Sequence, residues 1–227
     1  GRTERPGGKG GGERGNGMAS MDELCVKVIG KGGHAAMPEN NIDPVLMAAH
    51  IIVADQQLVS RVSSPRTPSV LSFGKVIANG AINIIPDEVL IEGTFRTLDE
   101  EWRKTALEKL EKLVTSIAEG MGGKCEVKIN HGYPSLINDT KLTEELRQDA
   151  VGYMGAENVV DLDVWMAAED FAYYTQRQPA CFYLLGVGNR EKGIGSGLHT
   201  PTFNIDESAL EIGGGLMAWL AVKALKS

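Results

Sequence analysis

The chain has 227 residues, of which 42% are hydrophobic and 23% charged, proportions that are ordinary for a globular protein of one or two domains. Its formal net charge of −7 argues against a nucleic-acid partner, because binding phosphates requires a positively charged surface. The sequence contains no run of about 18 apolar residues and therefore predicts no membrane span. Its three cysteines, Cys25, Cys125 and Cys181, lack the spacing of a disulfide framework, which indicates free thiols and a cytoplasmic location.

Residues 1–21 are predicted to form a flexible tail. The segment is rich in glycine and carries scattered basic residues, a composition typical of flexible linkers. It also lacks the apolar core of a signal peptide.

Residues 22–134 show alternating strand and helix patterns. Leu24, Val26 and Val28 alternate with less apolar residues, which predicts a strand, and longer segments repeat at helical spacing. The predicted elements are a strand around 24–28, a helix from Asp43-Pro44 to Val59, strands over 70–77 and 89–97, a helix from Asp99 to Gly122, and a strand over 125–130. The order β-α-β-β-α-β predicts a split βαβ, ferredoxin-like domain.

Residues 135–227 show a different pattern, and the whole chain is therefore assigned to the α/β class with an α+β lid. The predicted elements are a helix over 142–153, a strand near Val159, a helix over 169–177, an apolar strand over 181–185, and a helix from Glu207. A continuously apolar strand is typical of a sheet covered on both faces. The segment has too few strands to cover it, so we expect it to be part of a larger α/β catalytic domain.

Histidines and charged residues occur in short motifs along the chain. The motifs are G-K-G-G-H-A-A-M-P around His34, N-I-I-P-D from Asn83, G-T-F-R ending at Arg96, A-E-D-F around Glu169, and H-T-P-T-F from His199. His199 follows a glycine-rich loop, and loops commonly present functional side chains. By residue type alone, however, a lone histidine is more often a surface or core residue than a metal ligand.

In this order, the motifs resemble the aminoacylase/carboxypeptidase family of metallopeptidases, most closely its hippurate hydrolase and indole-acetyl-amino-acid hydrolase branch. The resemblance runs from about Met18 to the C-terminus. It implies a metal-dependent amidohydrolase that cleaves the amide of N-acyl amino acids or small peptides with a free carboxylate. In that family, a preceding segment carries most metal ligands and the catalytic glutamate. We therefore expect this chain to be the C-terminal portion, without most ligands and without the base.

The resemblance also implies a role for each motif. His199 corresponds to the last ligand of a two-metal site, and the two divalent ions could be zinc, manganese, cobalt or nickel. His34 corresponds to a histidine that stabilises the oxyanion in the neighbouring subunit, so a homodimer through the lid domain is implied. Asn83 and Arg96 correspond to groups that bind the substrate carboxylate. Glu169 corresponds to a group beside the metals that either supports a metal ligand or contacts substrate, and not to the general base.

Simpler explanations stay open for several of these residues. His34 could be a surface histidine in a turn, and Arg96 could form an ion pair with Glu92 on the same face of its strand. Glu169 could cap a helix, since negative charge is favourable near a helix N-terminus. The chain as a whole could be a catalytically silent lid and dimerisation module, because shared ancestry does not ensure activity.

Overall fold

The structure is a computed structural model that describes residues 2–6, 10–12 and 15–225. The strands are β1 (Arg2–Pro6), β2 (Gly10–Gly12), β3 (Gly15–Met18), β4 (Asp22–Ile29), β5 (Gly33–His34), β6 (Ser69–Ile77), β7 (Ile84–Ile85), β8 (Glu88–Thr97), β9 (Lys124–His131), β10 (Leu136–Asn138), β11 (Val159–Asp161) and β12 (Leu184–Gly188). The helices are α1 (Pro44–Gln57), α2 (Glu100–Gly120), α3 (Thr140–Met154), α4 (Ala172–Thr175) and α5 (Ser208–Ala224). A π-helical turn, Leu58–Val62, follows α1, and 3-10 turns lie at Pro38–Asn40 and Ala156–Asn158.

The chain folds into two compact units. The middle unit contains Met18–Ser135 and Met166–Asp170, and the terminal unit contains Gly1–Gly17, Leu136–Trp165 and Phe171–Ser227. Both units combine helices with strands, which confirms the predicted mixed α and β class.

The middle unit is built on a four-stranded sheet in the order β6-β8-β4-β9, in which every neighbouring pair is antiparallel. The elements follow one another as β4-α1-β6-β8-α2-β9, and each of these predicted elements is confirmed to within a few residues. The helix starts are also as predicted: Asp43 accepts hydrogen bonds from the first turn of α1, and Asp99 accepts one from Trp102 N.

The core of the middle unit lies between one face of this sheet and helices α1 and α2. Its largest fully buried side chains include Leu24, Val26, Met47, Ile51, Ile91, Phe95, Leu110 and Val114. The sequence predicted no membrane span, yet the segment Pro44–Val62 is long and apolar enough to cross a membrane by length and composition. Met47, Ile51 and Leu58 of that segment are buried in this core, as expected for the apolar stripe of a helix that packs on a sheet.

A buried ion pair joins the start of β4 to helix α2. Arg103 Nε and Nη2 each donate to the Asp22 carboxylate at 2.7 Å, and the Asp22 side chain is fully buried. His131 Nδ1, at the end of β9, lies 2.9 Å from the same carboxylate. Glu100 accepts hydrogen bonds from Arg103 and from the backbone of Ser135. These contacts fix three elements at one edge of the unit.

The terminal unit contains a sheet in the order β1-β12-β2-β11 and a separate pair, β3 with β10. Helices α3 and α5 pack through Ala150, Leu216 and Leu220. Where the sequence predicted a flexible tail over 1–21, β1, β2 and β3 pair with other strands, and Ala19 and Ser20 are fully buried. Residues 1, 7–9 and 13–14 of that prediction lie outside the described residues. Glycine can add to a sheet because the ladder uses backbone N–H and C=O groups alone.

Two elements of the terminal half differ from the prediction. The apolar strand predicted over 181–185 begins at Leu184, because the Asn138 side chain binds both the N–H and the C=O of Phe182. The helix predicted over 169–177 is reduced to α4, and Glu169 precedes it. Upstream of this helix, the carbonyls of Met166 and Ala167 accept hydrogen bonds from Arg96 and from the backbone of Ala19.

Candidate active-site residues

Two of the motifs are adjacent in the middle unit although they are distant in sequence. Strand β5 pairs antiparallel with β7, so that His34 lies opposite Ile84. The N–H of Ala35 donates to the carbonyl of Asn83 at 3.0 Å. His34 and Asn83 are therefore carried on one small ribbon, with both side chains exposed.

The backbone after His34 fixes which ring nitrogen can donate. Ala36 N–H donates to His34 Nδ1 at 3.1 Å, so Nδ1 acts as an acceptor and the neutral ring carries its proton on Nε2. The same ring therefore offers an N–H donor away from its own backbone. This arrangement suits a group that stabilises a developing negative charge on a bound molecule.

Asn41 and Asp87 hold this ribbon in place, although the sequence predicted no role for Asn41 and none for Asp87 beyond its position in the N-I-I-P-D motif. Asn41 Nδ2 donates to the carbonyl of His34 at 3.0 Å, and Asp87 Oδ1 accepts from Gly32 N–H at 2.8 Å. A Cβ at position 33 would meet the Asn41 side-chain oxygen, so a larger residue there would force the Asn41 side chain to move. The signal was present in part, since Asn and Asp commonly bind nearby backbone in turns.

Arg96 lies on β8 and contacts the segment that carries Glu169. Its Nη1 donates to the carbonyl of Met166 at 3.3 Å. Glu92 instead pairs with Lys75 at 2.8 Å, so the structure does not support the ion pair between Arg96 and Glu92. Glu169 is half-buried, and its Oε1 accepts from the N–H of Asp170 at 3.1 Å. The middle unit thus contains four of the five predicted site residues: His34, Asn83, Arg96 and Glu169.

His199 belongs to the terminal unit and has an unusual backbone. Its φ is +62°, and no other non-glycine residue in the described part of the chain has a positive φ. This left-handed conformation costs a non-glycine residue about 1–2 kcal/mol. The side chain is exposed on the turn 197–203, where Thr200 Oγ1 donates to the carbonyl of Gly197 at 2.8 Å.

A metal would need ligands beyond His199. Across residues 2–6, 10–12 and 15–225, no group of three His, Cys, Asp or Glu side chains is arranged to hold a metal ion. The described residues therefore do not fit a two-metal site by themselves, and His199 supplies one imidazole at most.

Comparison with known proteins identifies the family. The family described as peptidase family M20/M25/M40 matches residues 7–223. The N-acetyl-L-cysteine deacetylase of Bacillus subtilis (strain 168) is 37% identical over 193 residues, which are 85% of this chain and 45% of that protein. The IAA-amino acid hydrolase ILR1-like 4 of Arabidopsis thaliana is 32% identical over 214 residues, 92% of this chain and 48% of that protein.

A solved structure supports the same relationship. A dinuclear metal-binding peptidase of the M20 family from Bacillus subtilis superposes with a TM-score of 0.77 at 30% identity, covering 99% of this chain and 55% of that one. The chain spans about half the length of the curated relatives it matches. It belongs to the peptidase family M20/M25/M40, in the branch related to hippurate and indole-acetyl-amino-acid hydrolases.

Proposed function

We propose that this chain forms the lid and part of the catalytic domain of a metal-dependent amidohydrolase, which cleaves N-acyl amino acids or small peptides with a free carboxylate. The observation that carries the proposal is the ribbon of β5 and β7. It places His34 beside the Asn83 motif, and the ring of His34 offers its Nε2–H as a donor. Relatives named as a deacetylase and an amino acid hydrolase support the amide substrate class.

The two parts of the chain would have different tasks. Residues 22–134 form a ferredoxin-like lid and dimerisation domain, which the element order and the sheet order β6-β8-β4-β9 support. Residues 135–227 contribute to the catalytic domain, and residues 1–21 precede both. The homodimer forms through the lid.

The residues act on different parts of the substrate. His34, reaching the site of the partner subunit, donates from Nε2 to the oxyanion that develops on the attacked carbonyl. The Arg96 guanidinium, with Asn83, binds the free carboxylate, since its planar fork matches that anion. Glu169 contacts substrate near the reacting group, and His199 is a ligand of the metal pair. Two divalent ions, of zinc, manganese, cobalt or nickel, would activate the attacking water when bound.

The second candidate is a catalytically silent lid and dimerisation module. It is favoured by one observation: the described residues contain no group of three potential ligands. The two candidates differ in metal content and turnover, so the same experiment separates them.

The test uses the product of the complete reading frame, assayed on N-acyl amino acids with and without a chelator. We expect chelator-sensitive hydrolysis, and His199→Ala should remove nearly all of it and lower the bound metal measured by elemental analysis. His50→Ala is the matched control, since His50 is exposed on α1 and lies in no motif. Normal metal content and rate in His199→Ala would show that His199 is not a ligand; no hydrolysis by the unaltered protein would favour the silent module.

A further inference from the structure

The loop that carries His199 is not held in place by burial. All residues from Leu198 to Asn204 are exposed, and added Cβ atoms at Gly195 and Gly197 would meet no neighbour. His199 nevertheless has a left-handed backbone, with φ at +62°, which is uncommon for a non-glycine residue. Such conformations persist only where the surrounding structure fixes them, and they are frequent at functional sites. The constraint must therefore come from hydrogen bonds.

The base of this loop is closed by a buried carboxylate. Asp206 lies just before α5, and only 5% of its side chain is exposed. Its oxygens accept from Asn189 Nδ2 at 2.5 Å, from Lys192 Nζ at 3.0 Å, and from the N–H and Oγ of Ser208 at 3.2 and 3.0 Å. These hydrogen bonds hold the pKa of Asp206 well below its usual range. The carboxylate thus joins residues on both sides of the loop 190–205.

Asn189 transmits this constraint into the loop. It follows β12, and its Oδ1 accepts from Lys192 N–H at 3.2 Å while its Nδ2 donates to Asp206. Its backbone exchanges two hydrogen bonds with Ile194, at 2.8 and 2.7 Å. Asp206 N–H also donates to the carbonyl of Val187 at 2.8 Å, inside β12. Both ends of the loop are therefore anchored to the same strand.

We propose that Asp206 is a positioning residue: its carboxylate, bonded to Asn189 and Lys192, fixes the base of the loop 190–205 and so holds His199 in its left-handed conformation. The proposal deepens the proposed function, on which it rests only for the role of His199 as a metal ligand.

Hydrogen exchange of this chain tests the positioning directly. Asp206→Asn keeps the shape of the side chain but loses its charge, so hydrogen bonds from Lys192 and Asn189 should weaken. We expect exchange of the Ile194 and Phe203 amides to quicken by about tenfold to a hundredfold, the range for a lost charge-assisted hydrogen bond. Amides in α3 should change less than about twofold, because a local opening of the loop leaves that helix folded.

The matched control is Asp161→Asn in the same unit. Asp161 accepts from Arg147 Nε at 3.2 Å, but its side chain is 73% exposed. This variant should leave exchange in the loop unchanged. If Asp206→Asn does not fold, Lys192→Met carries the test, since the Lys192 side chain is 60% exposed and its loss should not unfold the unit. Lys192→Arg keeps the cation and should restore slow exchange.

A measurement of metal binding distinguishes a failure of this proposal from a failure of the proposed function. In the product of the complete reading frame, Asp206→Asn should weaken Zn²⁺ binding by about tenfold to a hundredfold, as for other groups that orient a ligand. Unchanged loop exchange in Asp206→Asn, or an equal rise in α3, would overturn the positioning role. Fast loop exchange in Asp206→Asn would support the positioning role. If His199→Ala at the same time bound Zn²⁺ with normal affinity, the assignment of His199 as a ligand would be refuted.

Discussion

Asp55 is a carboxyl group buried in the apolar core of the middle unit. It lies on the core-facing stripe of α1 with Met47 and Ile51, one turn before the buried Leu58 of the π-helical turn, and its side chain is fully buried. Within the described part of the chain, neither of its oxygens has a hydrogen-bond partner. Burial raises the pKa of Asp55 to about 7, because a carboxylate loses its hydration in an apolar core. Asp55 is thus protonated in the folded protein under mildly acidic conditions.

The first prediction is that the middle unit loses stability as pH rises from about 4 to about 7. The unfolded chain releases the Asp55 proton above its ordinary pKa of 3.8, whereas the folded chain retains it until about 7. The unfolded state therefore binds fewer protons in this window, and the free energy of unfolding falls by up to roughly 3 to 4 kcal/mol. Asp55→Asn, which stays neutral, should remove this contribution.

Urea unfolding at a series of pH values measures this effect. Asp163→Asn, at an exposed position, serves as the control and should follow the unaltered chain. Equal pH profiles for Asp55→Asn and the unaltered chain would show that the carboxyl group is hydrated in solution.

A second prediction concerns Arg96 and the substrate carboxylate. In the product of the complete reading frame, Arg96→Ala should lower kcat/KM for an N-acyl amino acid by about tenfold to a hundredfold more than for its amide analogue. The reason is that only the acid can form the charge-assisted hydrogen bond. The contact of Arg96 with the Met166 carbonyl is lost with both substrates. Equal losses on both substrates would therefore indicate a purely structural role, and Arg61→Ala, an exposed change on the same unit, should affect neither.

The sequence motifs single out His34 and His199 as candidate site residues, but they do not reveal the groups that hold these residues. His34 and His199 stand in recognisable motifs, so their positions could be predicted. The left-handed backbone of His199 could not be predicted, and neither could the hydrogen bonds of Asn41 and Asp206. The groups that form these hydrogen bonds come together only after the chain folds. Asp55 was missed although its spacing of four and three residues from Ile51 and Leu58 placed it on the buried stripe of α1.

At the scale of elements, the Asp22–Arg103 pair should dominate the attachment of α2 to β4 and β9. The third prediction is that Arg103→Met destabilises the middle unit by about 3–5 kcal/mol, because it leaves the Asp22 carboxylate buried without its cation. The control is Arg147→Met, which removes a pair with the exposed Asp161 and should cost at most about 1 kcal/mol. Unfolding in urea compares the two, and similar losses would mean that Asp22 finds other partners.

Elements with a regular pattern were predictable, and elements defined by distant contacts were not. Strand β4 alternates cleanly and helices α1 and α2 have acidic caps, so their bounds followed from local rules. The start of β12 depends on the Asn138 side chain, which lies far away in sequence. The helix predicted over 169–177 is likewise shorter in the structure, where it covers Ala172–Thr175. The hydrophobic periodicity of a sequence does not show which side chains compete for backbone hydrogen-bonding groups.

At the scale of the whole molecule, the proposed sharing of sites between subunits makes a further prediction. His34→Ala and His199→Ala variants of the complete product should each be inactive, and mixing them should restore part of the activity after subunit exchange. A hybrid dimer has one site with intact His199 and an intact His34 from its partner. Activity assays with exchange verified by mass spectrometry provide the measurement. A mixture that stays inactive would place the action of His34 in its own subunit or nowhere.

The two edge strands of the middle sheet, β6 and β9, differ in the number of charged side chains they carry. Strand β9 exposes Lys124, Glu126 and Lys128 in alternation, and charged edges oppose the addition of another strand. Strand β6 carries a single charge, Lys75, which Glu92 already neutralises. If two β6 strands pair across a two-fold axis, the enlarged sheet ends in β9 on both sides. The fold would then permit two sheets to pair once through β6, whereas the charged β9 edges would oppose further strand addition and open-ended fibre growth.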